Sequence, residues 1–218
     1  MRNQRPRGTT TSEAVLGAAL AIVDRAGIEG LSIRAVAREV GAPPMSLYSH
    51  FSNKEELLDL MYGEIVRRMY IDQGLPTWQE ELFALCKHIR SVLLDHPRWT
   101  PLLARPVSPV SVPVRERILA LMASDGMAPE VAFTALSGGA LSSMGLVLTE
   151  LTLRNAQGTT NLEQRYARIR EWASTSGDAP ATRAGTAERP KLDLERVFVF
   201  TLRAFIRGLE VGVTPSTP

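Results

Sequence analysis

The chain has 218 residues, of which 44% are hydrophobic and 22% charged, with a formal net charge of +2. That length allows a sizeable buried core, and the balanced composition excludes a disordered or collagen-like chain. The single cysteine, Cys86, excludes an intramolecular disulfide and favours a reducing compartment.

The charges are unevenly distributed along the chain. Residues 1–54 carry seven basic and four acidic side chains, a net charge of +3, whereas the remaining 164 residues carry a net −1. Because nucleic-acid affinity depends largely on phosphate neutralisation, the basic N-terminal part fits a polyanionic partner. A solvated basic surface without such a partner explains the same excess.

No segment is predicted to cross a membrane or to direct secretion. The apolar run at residues 14–23 is shorter than the ~20 residues that span a bilayer. It also ends in Asp24 and Arg25 rather than in a cleavage site of small residues. We therefore predict a cytoplasmic protein with no membrane partner.

A basic segment precedes the first predicted helix. Residues 1–9 are polar and include Pro6 and Gly8, which predicts a flexible arm. The arginines of this arm either enter a DNA minor groove or belong to a tail without a DNA role. These arginines are Arg2, Arg5 and Arg7.

The first predicted helix covers about residues 11–26. Thr10 and Glu13 have the spacing of a capping box, which marks its start, and Gly27 marks its end.

Two shorter helices are predicted next. Ser32 can cap a helix that ends at Gly41, because apolar residues recur there with helical spacing. These are Ile33, Val36, Ala37 and Val40. Proline fits the first position of a helix, so Pro44 predicts a third helix over about residues 44–51. Two short helices joined by a tight turn are typical of the unit that inserts its second helix into a DNA major groove.

The remaining chain shows helical periodicity without β-type alternation, so we predict an all-α protein. Helices are predicted near residues 54–71, 77–95, 98–104, 112–124, 129–155, 162–175 and 192–213. Residues 176–190 are rich in small and polar side chains, which predicts a mobile loop. The sequence has no Cys/His spacing typical of a metal site, and we expect neither a metal nor a cofactor.

The third helix has one buried and one outward face. At 100° per residue, Phe51 lies about 40° from Leu47, so these two side chains form the buried stripe. Met45 then points nearly opposite, with Ser46 and Tyr48 on the flanks. Ser46 can bond a base edge and Tyr48 a phosphate. Packing of Met45 and Tyr48 on neighbouring helices is the alternative.

This segment resembles the DNA-binding domain of the TetR family of transcriptional regulators. The resemblance covers about residues 10–65 and is specific. It is carried by the run Gly41 … Ser46-Leu47-Tyr48-x-His50-Phe51-x-Asn53-Lys54-x-x-Leu57-Leu58. It implies a three-helix helix-turn-helix domain over residues 10–56 and a larger helical domain over 57–218, which dimerises and binds a small-molecule effector.

The resemblance also implies which residues lie at the DNA. Residues 43–46 read bases and the start of the second helix touches the backbone. The implied interface comprises Arg34, Pro43, Pro44, Met45, Ser46, Tyr48, His50 and Lys54. Many family members have polar residues or glycine in place of Pro43-Pro44-Met45, which leaves the base preference open. His50 as a packed, hydrogen-bonded histidine is the alternative to a phosphate contact.

Two late helices carry candidates for a dimer interface. Ala204, Gly208 and Gly212 recur every four residues, and the helix near 129–155 is rich in small residues, so another helix can approach either closely. The candidates are Gly139, Phe198, Phe205, Gly208 and Gly212. Packing of these faces within one chain is the alternative.

Aromatic and methionine residues of the larger helical domain, residues 57–218, are candidates for an apolar effector pocket. They are Trp78, Phe83, Trp99, Met122, Phe133, Met144 and Trp172. Ordinary core packing is the alternative for each. His88 and His96 are eight residues apart, too far for one helix to present both to a single ion.

The sequence thus predicts a sequence-specific DNA-binding regulator rather than an enzyme. Its expected partners are operator DNA, a second copy of the chain and a small-molecule effector that releases a palindromic operator. A helical enzyme and an adaptor that binds only protein are the rival hypotheses. No acid–base or nucleophile constellation supports the enzyme.

Overall fold

The computed structural model describes residues 11–105, 112–155, 168, 171 and 193–212. Every regular element in these ranges is helical, which confirms the predicted all-α class. The chain groups into two compact units, residues 1–125 and 126–218. The predicted boundary at 56/57 is a functional one and stays a prediction. The predicted arm and loop, and nearly all of the helix predicted over 162–175, lie outside the described residues.

Helix α1, Ser12–Ala26, begins the first unit. Its N-cap is Thr11, whose hydroxyl accepts the backbone N–H of Ala14 at 3.2 Å. The prediction placed the cap at Thr10 and was wrong by one residue, because neighbouring threonines offer the same hydroxyl and only the backbone conformation selects between them. The helix ends at Gly27, as predicted, and a short 3₁₀ turn, Ile28–Gly30, follows.

Helix α2, Ile33–Val40, has the two ends that its sequence predicts. The hydroxyl of Ser32 accepts the N–H of Ala35 at 3.2 Å. At the other end Gly41 has φ 69°, a left-handed conformation that costs glycine little. The N–H of Ala42 then donates to the carbonyl of Ala37 at 3.0 Å, which turns the chain sharply toward the next helix.

Helix α3 is shorter than predicted: it spans Pro44–Leu47, not residues 44–51, and continues as a turn. Pro44 does stand in its first turn. The hydroxyl of Ser49 donates to the carbonyl of Ser46 at 2.8 Å. Serine hydroxyls that compete for backbone carbonyls in this way disfavour continued helix, and the sequence periodicity does not register that competition.

The first unit continues with four further helices. They are α4, Lys54–Met69, α5, Trp78–Asp95, α6, Thr100–Leu103, and α7, Pro113–Ser124, with a 3₁₀ turn, Pro97–Trp99, before α6. Helix α1 packs on α2 and α4, α5 packs on α4 and α7, and α6 packs on α4. The buried side chains of α4 are apolar, so its packing stabilises the unit mainly through the hydrophobic effect.

A polar cluster lies inside this unit, where α4 is joined to α5. The carboxylate of Glu81 is fully buried and accepts the backbone N–H groups of Gln73 and Leu75, both at 2.7 Å. The guanidinium of Arg117 bonds the same carboxylate at 2.9 Å and that of Asp72 at 2.6 Å. Arg117 therefore ties α7 to the α4–α5 connection and compensates a buried negative charge.

The second unit contains α8, Pro129–Asn155, and α9, Leu194–Gly212, which pack on each other. Within the described residues, Pro129–Arg154 is long and apolar enough to cross a bilayer by length and composition, with a mean hydropathy of 1.6. No such span was expected from the sequence. The core helix of a soluble protein passes the same test, and only 39% of the apolar window is buried.

Candidate nucleic-acid interface

The segment around α3 has the two faces that the sequence predicts. Leu47 and Phe51 are buried, whereas 78% of Met45 and 46% of Tyr48 are exposed. Packing of α3 on α2 holds the short helix in place. The alternative in which Met45 packs on a neighbouring helix is not what the structure shows. Buried Leu47 and Phe51 thus fix this segment to the unit, and its uncharged side is exposed to solvent.

The hydroxyl of Ser46 is already engaged as a donor. It donates to the carbonyl of Pro43 at 2.7 Å, at the first turn of α3. Its oxygen keeps lone pairs that can accept, so it suits a base edge that donates, such as the exocyclic amino group of adenine or cytosine. The exposed Met45 and the ring of Pro44 can contact a thymine methyl.

His50 is half-buried and is held by a residue that sequence reasoning missed. Its Nδ1 lies 3.0 Å from the hydroxyl oxygen of Ser12, which is 38 residues away in the chain. The backbone N–H of His50 donates to the carbonyl of Leu47 at 2.9 Å. No local sequence signal marks this pair, because it depends on how α1 packs on α2 and α4.

The two cationic candidates lie at helix starts. Lys54 is the first residue of α4, behind the N-cap Asn53, and Arg34 is in the first turn of α2; both are exposed. Asn53 Oδ1 accepts the N–H of Glu56 at 2.9 Å, and the Glu56 carboxylate accepts the N–H of Ser52 at 2.6 Å. A cation at a helix N-terminus, beside backbone N–H groups, suits a phosphate.

The C-terminal end of α1 is joined to the 3₁₀ turn before α6. The guanidinium of Arg98 donates to the carbonyl of Asp24 at 3.0 Å and to that of Arg25. His96 Nδ1 lies 3.0 Å from the Asp24 carboxylate, and its ring stacks on Trp99 with centroids 3.8 Å apart. The two Arg98 contacts satisfy carbonyls that a helix end leaves unpaired.

The start of α4 is joined to the end of α6 by Arg105. Its guanidinium donates to the carboxylates of Glu55 at 2.8 Å and Asp59 at 3.0 Å. These two hydrogen bonds raise the pKa of Arg105 above its ordinary value. Glu55 directly follows Lys54, so Arg105 links the end of α6 to the turn that carries this phosphate-contact candidate.

The predicted effector residues are placed differently from one another. Within the first unit, Trp78, Trp99 and Met122 are buried and Phe83 is half-buried. The indole N–H of Trp78 donates to Asp125 at 2.9 Å. In the second unit Phe133 is exposed and Met144 half-buried, whereas Trp172 lies outside the described residues. The pocket itself stays a prediction.

The predicted dimer residues face two directions. Phe198 and Gly139 are buried within the chain, and Phe205 is half-buried, with its ring carbon 3.4 Å from where a Cβ on Gly138 would lie. Gly208 is exposed, and Gly212 belongs to α9. Other large apolar side chains are exposed in the same unit, and the sequence analysis did not assign them to the dimer interface. They are Val131, Phe133, Leu141, Leu148 and Phe200, of which only Phe133 was named there, as a pocket candidate.

No metal site was expected, and within the described part of the chain no group of three or more His, Cys, Asp or Glu side chains could hold an ion. The two histidines weighed as candidates have other partners. His88 Nε2 lies 2.9 Å from the carbonyl oxygen of Arg68, and His96 pairs with Asp24.

Two family models match the chain. The model described as "Bacterial regulatory proteins, tetR family" matches residues 15–61, which contain α2 and α3. The model described as "Tetracyclin repressor-like, C-terminal domain" matches residues 72–213, well over half of the chain.

Curated relatives match over most of their length. An HTH-type transcriptional regulator of Saccharopolyspora erythraea is 32% identical over 193 residues, 83% of this chain and 79% of that protein. The HTH-type transcriptional repressor DrrR1 of Streptomyces coeruleorubidus is 31% identical over 218 residues, 95% of this chain and 80% of that protein.

Solved structures share the fold. The TetR family protein ActR of Streptomyces coelicolor, in complex with actinorhodin, superposes with a TM-score of 0.73 at 23% identity. The match covers 95% of this chain and 98% of ActR. At that identity the likeness concerns the fold: an N-terminal helix-turn-helix followed by a helical C-terminal domain.

Proposed function

The chain belongs to the TetR family of DNA-binding transcriptional regulators, and from that premise we propose that it is a cytoplasmic homodimeric repressor that a small molecule releases from a palindromic operator. Members of this family are regulators and not enzymes, so the two rival hypotheses, a helical enzyme and a protein-only adaptor, are wrong.

The observation that carries the DNA-binding residues is the outward face of α3. Exposed Met45 stands on α3 and exposed Tyr48 directly follows it, on either side of fully buried Leu47. We assign base contacts to residues 43–46 and phosphate contacts to Tyr48, His50, Lys54 and Arg34. Phosphate contacts set affinity and register, whereas the uncharged α3 face sets sequence preference.

Exposed apolar stripes on the second unit support the homodimer. At 100° per residue Phe133, Leu141 and Leu148 lie within a stripe about 80° wide on α8. On α9 the exposed Phe200 is followed at four-residue steps by exposed Ala204 and Gly208.

We propose that a second copy of the chain covers these stripes. The inward members of the predicted set, Phe198 and Gly139, would instead hold the two helices of one chain together. A palindromic operator also requires two DNA-binding domains, because each α3 must reach one of two major grooves about 34–36 Å apart.

Relatives support release by a small molecule. ActR is in complex with actinorhodin, and the matching C-terminal family is described as tetracycline-repressor-like. An effector that binds the state unable to span two grooves shifts the population away from DNA. The contacts of Arg105 with Glu55 and Asp59 are one route by which an effector-induced displacement of α6 would reach the start of α4.

The test is a mobility-shift titration with DNA from immediately upstream of the gene. We expect a palindrome-dependent complex that weakens steeply with salt. Ser46→Ala combined with Tyr48→Phe should weaken it at least about tenfold without changing the melting temperature, since both side chains are exposed.

The matched control is Ser124→Ala, which removes an exposed serine hydroxyl from the end of α7. It should leave DNA affinity unchanged. Equal affinity of the double variant and the wild type would remove Ser46 and Tyr48 from the interface. The absence of any complex at moderate salt from a folded dimer would refute the proposed function.

A further inference from the structure

We propose that Ser12 is a positioning residue for operator binding: its hydroxyl holds the His50 ring so that Nε2 presents an N–H to a DNA phosphate. This inference rests on the proposed function, because it assumes that His50 faces DNA. It assigns a role to a side chain that belongs to α1, outside the helix-turn-helix itself, and that makes no base contact.

The two side chains meet between fixed backbones. Ser12 Oγ lies 3.0 Å from His50 Nδ1, and Ser12 is the first residue of α1. His50 is held through the hydrogen bond from its N–H to the carbonyl of Leu47, a fully buried residue. Because neither end can drift far, the contact restrains the rotation of the imidazole ring.

The Ser12 hydroxyl is not needed to start the helix. Thr11 is the N-cap, and its hydroxyl accepts the N–H of Ala14. Alanine has the highest intrinsic helix propensity, so the first turn of α1 tolerates it. Ser12 is therefore available for His50, and its replacement by alanine should leave α1 intact.

Serine suits this role because a hydroxyl both donates and accepts. When the imidazole is neutral with its proton on Nε2, the hydroxyl donates to Nδ1. When the ring is protonated, Nδ1 donates to the hydroxyl oxygen, and Nε2 still carries a proton. In these two forms Nε2 is a donor, which is what a phosphate oxygen requires, whereas the neutral form with its proton on Nδ1 would turn a lone pair toward the phosphate and is disfavoured beside it.

The experiment measures affinity for the upstream DNA fragment by fluorescence anisotropy at fixed salt. Ser12→Ala should weaken the binding of each DNA-binding domain about threefold, as expected for loss of one orienting hydrogen bond. Because a dimer binds through two such domains, the affinity of the dimer should fall about tenfold. Ser12→Thr keeps the hydroxyl and should restore most of the affinity. Ser124→Ala, the matched loss of a remote hydroxyl, should have no effect, and all four proteins should melt alike.

A double-mutant cycle with His50→Ala separates positioning from direct contact. If Ser12 acts through His50, Ser12→Ala costs nothing further in the His50→Ala background. An equal loss in both backgrounds means that Ser12 contacts DNA itself, which overturns the inference. So does an unchanged affinity of Ser12→Ala.

Ring ¹⁵N NMR of the free protein gives a readout that does not need DNA. The Nδ1 resonance of His50 should move in Ser12→Ala and stay in place in Ser124→Ala. An unmoved resonance refutes the positioning role whatever the DNA result. If instead the resonance moves but the wild-type protein binds no DNA, the hydrogen bond is established and the proposed function is refuted. The phosphate contact of His50 is then refuted as well.

Discussion

The two units of this protein differ in what holds their helices and in what they leave at the surface. In the first unit, the described residues are connected by polar contacts between distant segments, among them Arg117 to Glu81 and Arg98 to the end of α1. Described residues beyond 125 carry five of the nine large apolar side chains that the described part of the chain exposes. In Phe200 the exposed fraction reaches 74%.

The difference indicates two kinds of stability. A unit whose buried charges are compensated internally can hold its shape in a single chain. A pair of helices with apolar stripes in water gains free energy when another surface covers them. On the proposed function, the first unit presents a rigid DNA-binding face and the second supplies the association that sets the spacing between two such faces.

Breaking the Arg117 contacts should have the largest effect. Arg117→Met leaves the buried Glu81 carboxylate without its cation and should lower the free energy of unfolding by about 3 kcal/mol. Urea titration followed by circular dichroism measures the loss. The matched control, Arg115→Met, removes a guanidinium 5.8 Å from the Tyr70 ring and should cost no more than about 1 kcal/mol.

A second variant sharpens that result. In Arg117→Met combined with Glu81→Gln no charge remains at residue 81 and an amide oxygen can still accept a backbone N–H, so much of the lost stability should return. If the double variant is less stable than Arg117→Met, compensation of Glu81 is not the role of Arg117.

An intermediate effect is expected at the apolar stripes. Leu141→Asp introduces a charge that dimer contact would bury, so sedimentation should show a monomer, and operator affinity should fall at least about 100-fold as the second head is lost. Ile71→Asp, at an exposed apolar residue of the first unit, is the control and should leave the mass unchanged. A Leu141→Asp protein that sediments as the wild type does would place the dimer interface elsewhere.

The smallest expected effect is on the loss of stability at acidic pH. The N–H of Gly74 bonded to the Asp72 carboxylate, with help from Arg117, lowers the pKa of Asp72 below its usual 3.8. Since the folded state holds the proton less tightly than the unfolded state, this stabilisation is present above pH 4 and is lost as pH falls through the lowered pKa. Urea midpoints between pH 5 and 2.5 should therefore fall less steeply in Asp72→Asn than in the wild type. Parallel slopes would contradict the role of Asp72.

Local signals predicted most of the helices well. Ser32 and Gly41 mark the ends of α2, and Pro44 marks the start of α3, because caps and proline act on the backbone within one turn. The two errors also concern helix ends and amount to about one turn or less. They are the cap at Thr10 instead of Thr11 and the extension of α3 to residue 51. Neighbouring hydroxyls compete for the same backbone groups there, and spacing alone does not choose between them.

The candidate site was predictable in part for the same reason. Burial of Leu47 turns Met45 outward on the helical backbone of α3. Tyr48 and Phe51 follow in a turn, yet Tyr48 is exposed and Phe51 is buried, as the helical spacing predicted. The dimer candidates followed less well, since a repeat of small or apolar residues does not say which chain covers it. Phe198 proved to be buried, whereas Phe200, two residues later, is exposed.

The amino-acid sequence alone determined the helical class, most of the helix ends and the outward face of α3, because these depend on residues within a few turns of each other. Only the tertiary structure decided that Ser12 meets His50, that Arg98 closes the end of α1 and that Arg117 neutralises Glu81. Each of these pairs joins residues far apart in the chain. Their meeting depends on the packing of whole helices, for which a single sequence carries no local signal.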